Sequence, residues 1–191
     1  MKICLLGEGA VGKTSLRQRY LGEKFSSNYQ MTIGADFAVK TVEKEDLVYR
    51  FQVWDLAGQE SFSSIRDLFY KGALGALIVF DMTRPETLPI LEKWIDGFYK
   101  HNDKAPLILL GNKSDLKSVS EHVVKDDEIN GFIKQLEKRG VNVPYFETSA
   151  VSGQNVEEAF LLLGDRILDA GRWEREESVK WSLAKSKMKN G

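Results

Sequence analysis

Gly7-Glu8-Gly9-Ala10-Val11-Gly12-Lys13-Thr14 follows the apolar run Ile3–Leu6 and fits the pattern G-x-x-x-x-G-K-[ST]. A phosphate chain needs backbone N–H groups crowded around it. Glycines permit that approach and the positive φ angles such a wrap requires. A helix beginning where the loop ends presents its N-terminus to the anion. Lys13 adds a mobile positive charge for the outer phosphates, and the Thr14 hydroxyl is suited to ligate Mg²⁺. The expected phosphate contacts are therefore Gly7, Gly9, Ala10, Val11, Gly12, Lys13, Thr14 and Ser15. The loop indicates a nucleoside triphosphate without saying which.

Outward from this loop, the runs Ile3–Leu6, Ala76–Phe80 and Leu107–Leu110 are short, continuous and rich in branched residues, as strands buried on both faces must be. Between and after them lie helical stripes. Leu88, Leu91, Ile95 and Phe98 form one, Val156, Ala159, Phe160, Leu163 and Ile167 another, and a third helix is expected over about Asp126–Arg139. Strand alternating with helix predicts a doubly wound α/β sheet. Ala35–Val42 and Val48–Trp54, joined by the charged turn Glu43-Lys44-Glu45-Asp46, read instead as a hairpin, which makes the sheet mixed with one antiparallel edge strand.

The 191 residues suffice for a single domain with a substantial core. A net charge of −1 gives no overall pull toward nucleic acid or an anionic membrane. The single cysteine, Cys4, excludes a disulfide framework and a cysteine-based zinc site and suits a reducing compartment. No apolar run approaches the roughly 18–20 residues of a membrane-spanning helix. Neither a secretory signal nor a lipid-attachment motif is present, so a cytoplasmic protein is expected, with no lipid anchor encoded in this chain. After Gly171 the composition changes: residues 172–191 are charged, carry Trp173 and Trp181, and end basic, which predicts a flexible tail behind a domain of residues 1–171.

Two further stretches carry chemistry. Gly111-Asn112-Lys113-Ser114-Asp115 ends an apolar strand, and parallel strands end at the ligand face. The Asp115 carboxylate can accept from both the N1 and exocyclic N2 donors of guanine, a pair adenine lacks, and the Lys113 stem can lie over the ring. Isolated, these residues read as a surface turn; a hundred residues behind a phosphate loop they read as a base reader. Trp54-Asp55-Leu56-Ala57-Gly58-Gln59-Glu60 also follows a strand. Asp55 is suited to hold Mg²⁺ directly or through water, Gly58 to offer an unhindered N–H to a terminal phosphate, and Gln59 to orient an attacking water. Standing alone, Gln59 would read as a solvated loop glutamine.

Together these segments resemble a Ras-superfamily small GTPase, and within it the Rab family. Thr32-Ile33-Gly34-Ala35-Asp36-Phe37 is close to the Rab pattern T-I-G-V-D-F, and Trp54–Glu60 differs from W-D-T-A-G-Q-E at Leu56 only. Phe69-Tyr70-Lys71-Gly72-Ala73 resembles Y-Y-R-G-A, and Glu147-Thr148-Ser149-Ala150 matches E-T-S-A. The resemblance covers roughly residues 2–170 and implies an α/β P-loop G domain, a six-stranded, mixed and mostly parallel sheet with helices on both faces. It also implies that Thr32 joins Thr14 and Asp55 on Mg²⁺, that Phe25 packs against the base, and that the loop Ser149, Ala150, Val151 lies against guanine. Segments 25–37 and 56–72 would be the switches that meet effector, exchange-factor and activating proteins. Phe37, Trp54 and Phe69 match the aromatic trio of the Rab effector surface, with core packing as the alternative. Val151 stands where a lysine is usual, Ser61 where a basic residue is usual, and the C-terminal cysteines of Rab proteins are missing. Either a natural chain runs further, or this is a Rab-like group without lipid anchors.

The implied activity is a guanine-nucleotide switch that binds GTP and GDP with Mg²⁺ and hydrolyses GTP slowly, with Gln59 and Lys13 as the catalytic pair. No motif-anchored arginine stands to reach the γ-phosphate in cis, and Gly9 leaves room for one from a partner. A monomer is expected, possible membrane contact is weak and peripheral, and membrane trafficking is the setting the Rab likeness suggests. A P-loop kinase or ATPase would lack the Asn112–Asp115 base reader, and a non-hydrolysing nucleotide scaffold should have lost Thr32 or Gln59.

Overall fold

The computed structural model describes residues 1–23, 32–44, 47–58 and 63–171, with backbone only for 63–66. The elements run β1 (Lys2–Leu6), α1 (Lys13–Leu21), β2 (Ala35–Lys44), β3 (Leu47–Leu56), α2 (Ser63–Tyr70), β4 (Gly75–Asp81), α3 (Leu91–Tyr99), β5 (Leu107–Asn112), α4 (Asp126–Lys138), β6 (Tyr145–Thr148) and α5 (Val156–Asp169). The six strands form one sheet in the order β2-β3-β1-β4-β5-β6. Only β2–β3 is antiparallel; β1 lies parallel to both β3 and β4, and β5 parallel to β4 and β6. The mixed sheet with its antiparallel edge is the expected one.

The central strands are apolar throughout because helices cover both faces, and the pleat sends alternate side chains to opposite sides. Cys4 and Leu6, Ile78 and Phe80, Leu107 and Leu109 join Trp94, Ile95, Phe98, Ile129, Phe132 and Leu136 from α3 and α4 in one core. Ile3 and Leu5, Leu77 and Val79, Ile108 and Leu110 join Leu16 and Tyr20 of α1 and Phe160, Leu163 and Ile167 of α5 in the other. Tyr20 stacks on Phe160 with ring centroids 3.7 Å apart, fastening α1 to α5.

Local signals account for most boundaries. The C-cap of α1 is Gly22, whose φ of 88° is the left-handed turn that glycine adopts without cost. At the start of α4 the Lys125 N–H donates to Glu128 Oε2 at 2.8 Å, one arm of a capping box. The stripe beginning at Leu88 becomes regular helix only from Leu91, because Pro85 and Pro89 lack N–H donors and a short 3₁₀ turn (Pro85–Thr87) precedes α3. Periodicity in the sequence marks neither α2 nor the four-residue β6, the sixth strand that the family resemblance implies. Strand β6 is half-polar and at the edge, so it lacks the continuous apolar run that marks its neighbours.

No helix among the described residues is long and apolar enough to cross a membrane. Phe25, Gln59, Ser61, Glu45-Asp46 and the tail of residues 172–191 lie outside the described residues.

Candidate nucleotide-binding site

The segments following β1, β3, β4, β5 and β6 all open at the carboxyl ends of the parallel strands, where ligands of doubly wound sheets bind. Gly7–Gly12 turns out of β1 with positive φ at Gly7 (138°), Ala10 (61°) and Gly12 (97°). A Cβ on Gly12 would lie 2.3 Å from Asn112 Nδ2, so both backbone angle and space demand glycine there. Lys13 is buried at the first turn of α1 and donates from Nζ to the carbonyls of Gly7 (2.7 Å) and Glu8 (2.8 Å), its side chain lying along the loop's mouth. Ser15 follows in the same first turn. Glu8 is held by α3, accepting from the Trp94 indole N–H at 3.1 Å.

Three oxygen-bearing side chains from distant segments converge beside this loop. The Thr14 hydroxyl donates to Asp55 Oδ2 at 2.5 Å, and its Oγ1 lies 3.0 Å from Thr32 Oγ1. Asp55 ends β3 beside Leu5 of β1 and is wholly buried. Its Oδ1 has no hydrogen-bond partner. Burial pushes its carboxyl up from the usual carboxylate range, opposed by the Thr14 hydrogen bond and the charges of Lys13 and Arg17. A buried carboxylate with one oxygen unclaimed, beside two hydroxyls, is the all-oxygen donor set a hard divalent cation takes, so these residues fit Mg²⁺. Arg17 of α1 pairs with Asp36 at 2.7 Å and ties the start of β2 to the same corner.

Gly58 lies directly against the phosphate loop: a Cβ there would stand 2.4 Å from both Glu8 C and Gly9 N. Any larger residue would push the segment after β3 off the loop.

In the segment after β5, Asp115 is exposed and accepts from the Ser149 hydroxyl at 2.6 Å. That contact brings the segments after β5 and β6 together. Ala150 is buried and Val151 is half exposed. Asn112 is buried: its Nδ2 donates to the Val11 carbonyl at 2.8 Å, while its Oδ1 accepts from Thr148 at 3.3 Å. Asn112 therefore staples the phosphate loop to β5 and β6. Lys113 sits at φ 66° and places Nζ 2.6 Å from Asp81 Oδ2.

Three side chains that motif reading did not single out belong to this site. Asp81, buried at the end of β4, receives the Thr83 backbone N–H and hydroxyl, Arg84 Nε and Lys113. Burial works to raise its carboxyl, but these hydrogen bonds outweigh it and hold the group below the usual carboxylate range. Arg84 also donates from Nη2 to the Gly9 carbonyl at 2.8 Å, so an arginine of this chain lies on the outer rim of the phosphate loop. Glu8 is the third. The available signal was position: Asp81 and Arg84 stand at the carboxyl end of a fully buried strand.

Among the aromatic residues, Phe37 is 50% exposed and stacks on Trp54 with centroids 4.9 Å apart, and Trp54 meets Phe69 at 5.7 Å. Core packing does not describe Phe37. Ile33, Val39 and Leu68 are exposed as well.

Comparison with known proteins agrees with this geometry. A Ras family model matches residues 2–169. The chain is 38% identical over 179 residues to the Ras-related protein RABG3f of Arabidopsis thaliana, covering 91% of this chain and 85% of that protein. It is 41% identical over 165 residues to the Ras-related protein Rab7 of Cenchrus ciliaris, covering 84% of this chain and 78% of that one. The chain belongs to the Ras family, as a Rab-like small GTPase that binds guanine nucleotide, hydrolyses GTP and works as a switch with regulator and effector partners.

Proposed function

We propose that the two halves of this site act on one nucleotide. Gly7, Gly9, Ala10, Val11, Gly12, Lys13, Thr14 and Ser15 hold the phosphates. Lys113 and Asp115 take the guanine, with Ser149, Ala150 and Val151 beside it and Phe25 against its edge. The observation that carries the reading is the convergence of Thr14, Thr32 and Asp55, from α1, the segment before β2 and the end of β3, at one corner of the phosphate loop.

Thr14, Thr32 and Asp55 hold Mg²⁺, which when bound neutralises phosphate charge. Lys13, whose Nζ already lies across the loop's carbonyls, stabilises the charge developing on the outer phosphate. Gln59 orients the attacking water, and Gly58 lets its segment approach the loop. Thr32 and Gly58 each lie in a segment that the terminal phosphate can order, so its loss would free segments 25–37 and 56–72. Phe37, Trp54 and Phe69 then form the face read by effectors, with membrane trafficking as the process. The catalytic unit is residues 1–171, acting as a monomer, and residues 172–191 are an appendage.

Asp115→Asn tests the assignment. A bidentate pair to a base contributes about 1–3 kcal/mol. The variant should lose at least about tenfold in GDP affinity and gain affinity for xanthine nucleotides, whose C2 carbonyl accepts from the new amide, as read by fluorescent-nucleotide titration. Unchanged guanine affinity would remove Asp115 from the base site.

A further inference from the structure

We propose that Arg84 is a positioning residue for nucleotide retention, tying the rim of the phosphate loop to the base-reading lysine through the buried carboxylate of Asp81. The inference rests on the reading of Gly7–Gly12 and Lys113 as two halves of one nucleotide site.

Asp81 Oδ1 accepts from Thr83 N (2.9 Å) and Thr83 Oγ1 (2.7 Å), while Oδ2 accepts from Lys113 Nζ (2.6 Å) and Arg84 Nε (3.1 Å). The carboxylate is thus satisfied by Thr83 and Lys113 without Arg84. What Arg84 adds is reach: its Nη2 spans to the Gly9 carbonyl at 2.8 Å, across 75 residues of sequence. A guanidinium is planar and offers donors at fixed angles, so it can hold Asp81 and Gly9 together, which a single ammonium cannot do with the same geometry. One carboxylate therefore sets the place of Lys113 on the base side and of Gly9 on the phosphate side. Gly9 is also the residue against which Gly58 closes, with an imagined Gly58 Cβ 2.4 Å from Gly9 N. Holding the Gly9 carbonyl fixes its peptide plane, whose Ala10 N–H points the opposite way from Arg84, and places a permanent positive charge on the loop's rim. With the bridge intact, base and phosphates are released together; with it cut, each half can loosen alone.

The experiment uses the full chain loaded with N-methylanthraniloyl-GDP in excess Mg²⁺, chased with unlabelled GDP. Arg84→Ala should accelerate release about tenfold, equivalent to about 1.4 kcal/mol. Arg84→Lys keeps the charge and loses the fork, so it should stay closer to the alanine variant than to wild type. Combining Arg84→Ala with Asp81→Asn should accelerate release by less than the product of the two single effects, because both cut one bridge. Single-turnover GTP cleavage should change by a smaller factor than release.

An unchanged release rate in Arg84→Ala, even with a lowered melting temperature, overturns the proposal and leaves Arg84 a structural residue. Full rescue by lysine overturns the bridging role in favour of charge alone. A loss of cleavage with release unchanged makes Arg84 a catalytic arginine and overturns retention. If folded wild-type protein retains no guanine nucleotide, the site reading itself fails and takes this inference with it.

Discussion

Ala10 is the one side chain that the phosphate loop holds in the left-handed region without glycine's freedom, at φ 61°. An L-residue there stores roughly 1–2 kcal/mol relative to its relaxed conformation. Ala10→Gly should relieve most of that while giving back some unfolded-state entropy, for a net gain of about 0.5 kcal/mol in urea unfolding of the nucleotide-free protein. A loss instead would show that the Ala10 methyl makes contacts worth more than the strain. Gln59 carries a different kind of prediction, because its proposed task is confined to the reacting water. Gln59→Leu should slow single-turnover GTP cleavage by at least about tenfold, within the range positioned groups supply, with GTP affinity little changed. Equal losses in affinity and cleavage would make it a binding residue. Cys4 illustrates the opposite extreme: burial pushes its thiol up to about 12, which leaves it a packing residue on β1 with no thiolate to offer.

Strand ends and helix starts matter here more than the elements themselves. Strand β4 delivers Asp81 to the site, β5 delivers Asn112 and Lys113, β3 delivers Asp55, and α1 begins with Lys13 and Thr14. The edge hairpin β2–β3 is anchored far from the site, where Tyr49 donates to Asp165 Oδ1 at 2.6 Å and Lys44 pairs with Oδ2 at 2.7 Å on α5. The junction of β4 and β5 has a pH signature. The Asp81 carboxyl is depressed below its ordinary value of 3.8, so its contribution is complete above that value and is lost as pH falls through the lower, folded-state one. Wild type should exceed Asp81→Asn in stability by about 1.5–3 kcal/mol near neutrality, the range for hydrogen bonds to a charged group. That gap should hold down to about pH 5 and close progressively below it, as measured by urea unfolding. A gap independent of pH down to about 3 would mean that packing, and no charge, accounts for the difference.

For the molecule as a whole, the site is assembled from six separate segments, the five that follow β1, β3, β4, β5 and β6 and the one before β2 that carries Thr32, so a ligand that bridges them stabilises the entire fold. Binding that favours only the folded state adds about 4 kcal/mol when free ligand exceeds Kd a thousandfold. For a chain of this length that raises Tm by roughly 10 °C. GDP with Mg²⁺ should produce such a shift, and chelation of the metal with EDTA should withdraw part of it, in a thermal melt followed by circular dichroism. Equal melting temperatures with and without GDP would contradict a nucleotide that joins the two halves. Exposed Phe37 on β2 lies over half-buried Trp54 of β3, which meets half-buried Phe69 of α2, and both of these pack against the core; the trio adjoins the segments proposed to move, so partner binding and nucleotide state can be linked through shared residues.

Much of this architecture is legible in the sequence alone. Strands buried on both faces must be apolar in every position, and a phosphate loop must pair glycines with Lys13 and Thr14, so both leave marks within a few adjacent residues. The same holds for the hairpin's alternation and for the Asp115 segment at the end of a strand. What adjacent residues cannot record is a pairing across the chain. Nothing next to Asn112 in the sequence records that its amide holds the Val11 carbonyl 101 residues away, nor next to Trp94 that its indole holds Glu8. Asp81 and Arg84 belong to no motif in the sequence; the sheet order, which sets β4 beside β1, brings them to the loop. Local periodicity and motif chemistry follow from covalent neighbours; the hydrogen bonds that join the segments after β4 and β5 to the loop after β1 follow from strand order, and strand order exists only once the sheet has closed around its two cores.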